Sequence, residues 1–252
     1  MDSILDYPIL VFAISFIALW FSALGGAFLR KARPLNEDLR DDFAVVQAAI
    51  LTLLSLLIGF TFSMAVGRYD QRKNYEEAEA NAIGTEYVRA DLLPTADAVK
   101  VRDLLRSYID LRVLFYTTRD LPQRRRIDTK TAQIQNDLWS VVQTRAAAQP
   151  TPPIALVVMG MNDVLNSQGY TQHAWWYRIP VEAWGLMAVI AIVCNLMIGY
   201  GGHRTSRLLL LVVPLAVSVS FFLIADIDSP LGGVIRVHPQ NLLSLAQTIH
   251  AH

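Results

Sequence analysis

Residues 43–66 read Phe43-Ala44-Val45-Val46-Gln47-Ala48-Ala49-Ile50-Leu51-Thr52-Leu53-Leu54-Ser55-Leu56-Leu57-Ile58-Gly59-Phe60-Thr61-Phe62-Ser63-Met64-Ala65-Val66. The stretch carries no Lys, Arg, Asp or Glu. It exceeds the ~20 apolar residues that carry a helix across ~30 Å of hydrocarbon. It also lacks the polar stripe that a helix on a soluble core keeps toward water. Working outward, Gly67-Arg68-Tyr69-Asp70-Gln71-Arg72-Lys73 follows without a break, and no proline intervenes before Pro94. Most of these residues are tolerable helix formers, so the reading is a membrane helix that continues into the aqueous phase.

Three further apolar runs share this character: Pro8 to Leu29, roughly Ile179 to Gly201, and roughly Leu208 to Ile224. None has a charge at its centre, and Glu182 lies near the start of the third span. The expected fold class is therefore all-α: a four-span helical membrane protein with an extramembrane helical bundle continuing from the second and third spans. The expected divisions are 1–67 for the first helix pair, 68–177 for the bundle, 178–227 for the second pair and 228–252 for a C-terminal segment.

Composition agrees with a partitioned chain. Of 252 residues 53% are hydrophobic and 17% charged, with zero net charge. The charged fraction is low for a soluble protein and is concentrated in the middle. A nucleic-acid partner is not expected, since no strongly basic surface is present; Arg124-Arg125-Arg126 reads as a solvated helix start. Cys194 is the single cysteine and says nothing about the redox compartment. The leading segment holds Asp2 and Asp6 and no basic residue, unlike a cleavable signal, so the first run reads as a membrane helix. The short hairpin loops carry Arg30, Lys31, Arg33 and Arg40, and His203, Arg204 and Arg207. The positive-inside rule places both in the cytoplasm, although Arg68, Arg72, Lys73 and Arg178 flank the other span ends and weaken the bias.

The middle of the chain has helical periodicity throughout. Val101, Leu104, Leu105, Tyr108, Leu111 and Phe115 share one face, with Arg106 and Asp110 spaced to pair. Further helices are expected from about Gln123 to Ala148 and from about Ile154 to Gln168. Trp175, Trp176 and Tyr177 fit a headgroup belt. Leu242, Leu243, Leu245, Ala246 and Ile249 form a short amphipathic stretch, either on the membrane surface or docked on the bundle.

Small residues recur at helical spacing in both early spans. Ser15, Ala18, Ser22 and Gly26 line the first; Ser55, Gly59, Ser63 and Gly67 line the second. Such stripes allow close helix packing in lipid, or alternatively line a polar pathway. Thr52, Leu56 and Phe60 lie at i, i+4 and i+8, where an apolar constriction of a pore would gate by dewetting; the alternative is that they face lipid or other helices. Arg68, Arg72, Lys73 and Glu76 follow as candidate pore-mouth charge. In a symmetric oligomer the basic groups would attract anions, whereas Arg72–Glu76 and Lys73–Glu77 pairs would be ordinary helix salt bridges. Asp226 and Asp228 sit at the membrane edge, functional candidates by depth, with Arg89 or Arg178 as possible partners and a structural role as the alternative. The histidines are scattered, with His250 and His252 too few for a metal site. No cofactor is expected, and the absence of a nucleophile elbow, phosphate loop or zinc-protease motif argues against an enzyme.

Several blocks resemble a family of bacterial and plant membrane proteins called bestrophin-like. They are Gly59-Phe60, Phe62-Ser63, Arg68-Tyr69-Asp70-Gln71-Arg72, Glu79-Ala80-Asn81-Ala82-Ile83-Gly84-Thr85, Arg89-Ala90-Asp91-Leu92-Leu93-Pro94, Met161-Asn162-Asp163-Val164-Leu165, Arg178-Ile179-Pro180 and the run from Asp226 to Val237. The resemblance implies kinship with bestrophins proper, four-span anion channels that assemble as pentamers around the second helix. It would make Phe60 a pore-narrowing residue, with Leu56 and Thr52 on the turns before it. Tyr69-Asp70 stands where the bestrophins carry tryptophans. The expected function is thus an oligomeric ion channel, anion-conducting, in the bacterial inner membrane, with lipid and inorganic ions as partners. The alternative is a non-conducting scaffold or sensor whose helical domain binds a partner.

Overall fold

The structure, a computed structural model, describes residues 4–35, 37–202 and 209–251. Asp2, His252, Leu208 and the basic residues His203, Arg204 and Arg207 lie outside them. Among the described residues the regular elements are all helical: α1 Pro8–Ala32, α2 Arg40–Arg89, α3 Thr95–Thr117, α4 Leu121–Ala148, α5 Pro152–Trp176, α6 Val181–Gly201, α7 Leu209–Asp228 and α8 Gln240–His250. Four apolar stretches are long enough to cross a membrane, within Pro8–Ala32, Arg40–Leu92, Pro152–Gly201 and Leu210–Asp228. The protein is an integral, all-helical membrane protein.

Local chemistry sets the helix ends. α2 runs unbroken for 50 residues, as the lack of proline predicted, and stops just before Pro94. Prolines occupy the first turns of α1, α4 and α5, where a missing N–H costs nothing. At α4 the Asp120 side chain also accepts the Gln123 N–H at 3.2 Å. The third span is α6, which begins just after the expected Ile179 and ends at the expected Gly201. Residues 177–180 separate it from α5, because Pro180 lacks an N–H and its ring pushes the preceding residue out of helical geometry. α7 passes through Pro214.

The chain divides into two compact units. The first comprises Met1–Tyr69 and Arg178–Arg236. Its core joins Leu19 of α1, Leu54 and Ala65 of α2, Met187, Ala191 and Cys194 of α6, and Ile224 and Ala225 of α7. Small residues set the closest crossing, between α1 and α6. A Cβ on Gly26 would run into the Leu196 carbonyl, and one on Gly199 into the Ala23 carbonyl. Ser22 Oγ donates to the Ile192 carbonyl at 2.7 Å in the same seam. The first span's small stripe therefore packs against the third span.

The second unit comprises Asp70–Tyr177 and Val237–His252. Ile83, Val101, Leu105, Ile109, Leu138, Val142, Val157, Met161, Val164 and Leu242 fill its interior. α5 is longer than the sequence predicted, running on to Trp176. The amphipathic α8 docks on this bundle, with Leu242 fully buried and Ile249 nearly so. The expected Arg106–Asp110 pair is replaced. Arg106 bonds Asp103 at 2.9 Å, the Tyr87 hydroxyl at 2.7 Å and the Ile249 carbonyl at 3.1 Å, while Asp110 faces His250 at 3.0 Å. Arg106 thereby caps the C-terminal end of α8, where a cation is favoured.

Candidate functional site

The second span is the most uncovered of the four. Only 6% of its apolar window is buried within the chain, against 50% for that of α7. What it buries is one narrow stripe, Leu54, Thr61 and Ala65. At about 100° per residue, Ser55, Gly59, Thr52, Ser63, Leu56, Gly67 and Phe60 fall within an arc of roughly 140° centred opposite that stripe. The candidate pore residues and the small-residue stripe are therefore one surface. Leu56 is 52% and Phe60 63% exposed, and nothing lies within 4 Å of a Cβ placed on Gly59 or Gly67. The hydroxyls of Thr52 and Ser55 donate to the Ala48 and Leu51 carbonyls, both at 2.9 Å. The helix thus satisfies the Thr52 and Ser55 hydroxyls itself and leaves a face of small, hydroxyl and apolar residues.

The charged candidates after this span separate. Lys73 is exposed, and no ion pair joins it to Glu77 among the described residues. Arg68 is half-buried, with Nη2 3.6 Å from the Met64 sulfur, and Arg72 is buried. Glu76 is a buried structural group, 1% exposed. Its carboxylate accepts the Leu242 N–H at 2.9 Å and the Asn241 side-chain amide at 2.7 Å, closing the open N-terminus of α8.

Asp226 and Asp228 are likewise built in. Asp226 accepts the backbone N–H groups of Val234 and Ile235 at 2.7 and 2.8 Å. Asp228 accepts Arg178 Nε at 3.3 Å and the Ile179 N–H, and Arg178 also pairs with Asp6 and donates to the Leu5 carbonyl. Arg178 is thus the partner of Asp228. The glycines of the same segment are sterically required. A Cβ on Gly232 would strike the Asp6 carbonyl, and one on Gly233 the Asp226 carbonyl. The two aspartates fold the chain back after α7.

Other groups in the bundle escaped the sequence reading. Glu79, Arg112 and Thr171 form a buried cluster in which Arg112 Nε and Nη2 hold the Glu79 carboxylate and the Thr171 hydroxyl donates to it at 3.0 Å. The surrounding charges raise the Arg112 pKa against a burial effect that lowers it. Arg124 is 8% exposed rather than solvated; its guanidinium lies 4.2 Å from the Phe115 ring centre and 4.4 Å from that of Trp175. Trp175 belongs to the same interior, 7% exposed, whereas Trp176 and Tyr177 are exposed. Glu86 is buried against Gly160, where an added Cβ would meet its carboxylate. The signal for Arg112 was its place on the buried face, four residues after Tyr108 and three before Phe115. No group of three metal-ligating side chains occurs among the described residues.

A continuous second helix, a short return segment after the fourth span and a helical bundle define a class of four-span membrane protein. The family model described as the Bestrophin-like domain matches residues 10–242, and the chain belongs to that family. A bacterial bestrophin homolog from Klebsiella pneumoniae has a similar fold, with a TM-score of 0.63 at 13% identity over 96% of this chain and 95% of that one. A point variant of a bacterial bestrophin homolog from the same organism gives 0.67 at 11% identity over 94% and 96%. No curated protein matches the chain by sequence.

Proposed function

We propose that this protein is an oligomeric membrane ion channel, anion-conducting, with α2 lining the pore. The observation that carries the reading is the uncovered face of α2. Thr52, Leu56 and Phe60 share it with Ser55, Gly59, Ser63 and Gly67, opposite the stripe that the membrane-spanning part of the helix buries. Small residues let copies of one helix approach an axis closely, and Leu56 with Phe60 would then form an apolar constriction. Exposed Lys73, beyond the span, supplies positive charge at the mouth. Family membership and the shared fold support the reading, and a pentamer follows from the family resemblance.

The test is ion flux into liposomes holding purified protein, with chloride and potassium gradients applied separately. Chloride flux that rises in Phe60→Ala supports the pore. Folded, oligomeric protein without flux favours the scaffold or sensor, and potassium preference overturns the anion assignment.

A further inference from the structure

The second unit buries one carboxyl that nothing holds. Glu86 of α2 is fully buried, at 0% exposure, yet neither of its oxygens has a hydrogen-bond partner. Glu76 and Glu79, earlier on the same helix, are buried too, but each meets donors. A buried carboxylate without donors is strongly disfavoured, so this environment favours the neutral acid.

A guanidinium stands beside it. A Cβ on Gly160 of α5 would strike both Glu86 Oε2 and Arg89 Nη1. The two groups therefore lie side by side over the same glycine, three residues apart on one face of α2. No ion pair joins them, since both Glu86 oxygens are without a partner. Arg89 Nη1 instead reaches across to α5, 3.5 Å from the Leu156 carbonyl, which is long for a hydrogen bond. Two of the sequence blocks that the pore reading leaves unused meet here. Arg89 begins one, and Gly160 directly precedes the block from Met161 to Leu165.

Few charges act on this carboxyl. Burial pushes it up to about 8; Arg89 opposes the rise, and Asp163 of α5 adds to it. Asp91, just past α2, is paired with Arg102, and Asp97 of α3 with Arg145. Loss of the Glu86 proton creates a buried carboxylate with Arg89 as the cation beside it. A guanidinium–carboxylate pair is shorter and stronger than a guanidinium–carbonyl contact of this length, and breaking the latter lets Arg89 change partner.

We propose that Glu86 and Arg89 form a proton-operated latch between α2 and α5. With Glu86 neutral, Arg89 reaches the Leu156 carbonyl and ties α5 to α2. When Glu86 gives its proton to water, Arg89 turns back to the new carboxylate and lets go of α5. The latch senses alkaline pH within the second unit, and it does not rest on conduction.

The experiment is infrared titration of the full-length protein in detergent from about pH 6 to about pH 10, bracketing the Glu86 value of about 8. Amide hydrogen exchange along α5, corrected for its intrinsic pH dependence, is followed over the same range. A protonated-carboxyl band that Glu86→Gln removes should fade with a midpoint of about 8. The α5 amides around Gly160 should lose protection across that midpoint in the wild type and keep it in Glu86→Gln. Arg89→Gln, which removes the opposing cation, should move the midpoint up by about one unit or more. Asp163→Asn should move it down. Asp163 is exposed, so this variant carries the test if Arg89→Gln fails to fold. A Glu86 carboxyl that keeps one protonation state throughout the range overturns the latch, as does a midpoint that neither substitution moves. Titration of Glu86 with α5 protection unchanged also overturns it.

Discussion

The Glu76 carboxylate accepts the Leu242 N–H at 2.9 Å across 166 residues of sequence. A group expected among exposed charges instead holds the C-terminal helix onto the bundle. Glu76→Ala removes both acceptor contacts and should cost about 1.5–3 kcal/mol, the range for hydrogen bonds to a charged group. Hydrogen exchange should show the loss first in the opening turn of α8. Unchanged protection there would mean that α8 is held by its apolar face alone.

The glycines of the first unit should divide into two groups. Gly26→Ala and Gly199→Ala each drive a methyl into a facing backbone carbonyl, and should cost about 1–3 kcal/mol through overpacking. Gly59→Ala and Gly67→Ala meet nothing within 4 Å. They should leave monomer stability unchanged or raise it by about 0.5–1 kcal/mol, as Ala suits a helix interior better than Gly. Thermal unfolding in detergent measures both groups. A shift in oligomeric state confined to Gly59→Ala or Gly67→Ala would mark their face as an assembly contact.

Breaking the Glu79–Arg112 pair from one side should be costlier than removing it. Both side chains are fully buried, so Arg112→Met leaves an uncompensated carboxylate and should cost about 3–5 kcal/mol. The double variant Glu79→Leu with Arg112→Met should recover much of that loss. A double-mutant cycle on unfolding free energies gives the coupling, and additive losses would contradict it.

Asp128 should impose a pH dependence. Burial raises its pKa in the folded state, with Arg124 and then Arg112 opposing. The folded protein therefore holds this proton more tightly than the unfolded chain. The associated stability is present below the ordinary carboxylate range and is lost as pH rises through the raised folded value. Melting temperature against pH should show that decline in the wild type and a flatter profile in Asp128→Asn. Identical profiles would place the titration elsewhere.

The spans were legible because a run of apolar residues without a charged centre has few other uses, and the continuity of α2 because nothing between Phe43 and Pro94 interrupts a helix. The return segment after α7 was visible as a motif, but its purpose was not. Asp226 and Asp228 meet backbone N–H groups, whose positions depend on the fold. The buried Glu79, Arg112 and Arg124 stayed hidden for a related reason. Apolar periodicity counts Leu105, Tyr108 and Phe115 and passes over an arginine on the same face. Glu79, beside Glu76 and Glu77, looks like one more solvated acid until Arg112 and Thr171 arrive from distant segments. The division of the small-residue stripes was also unreadable, since spacing alone does not say whether α6, lipid or another copy lies opposite.

Arg178 links Asp6, near the beginning of the chain, to Asp228, near its end. A ribosome makes these three residues in that order, with most of the protein between the first and the last. The N-terminal acid must wait through the synthesis of the whole bundle for its cation, and the cation for its second anion. The first membrane helix is therefore inserted long before its final neighbours exist. A chain stopped after α6 has Asp6 and Arg178 but lacks Asp228, and leaves this guanidinium with one of its two carboxylates.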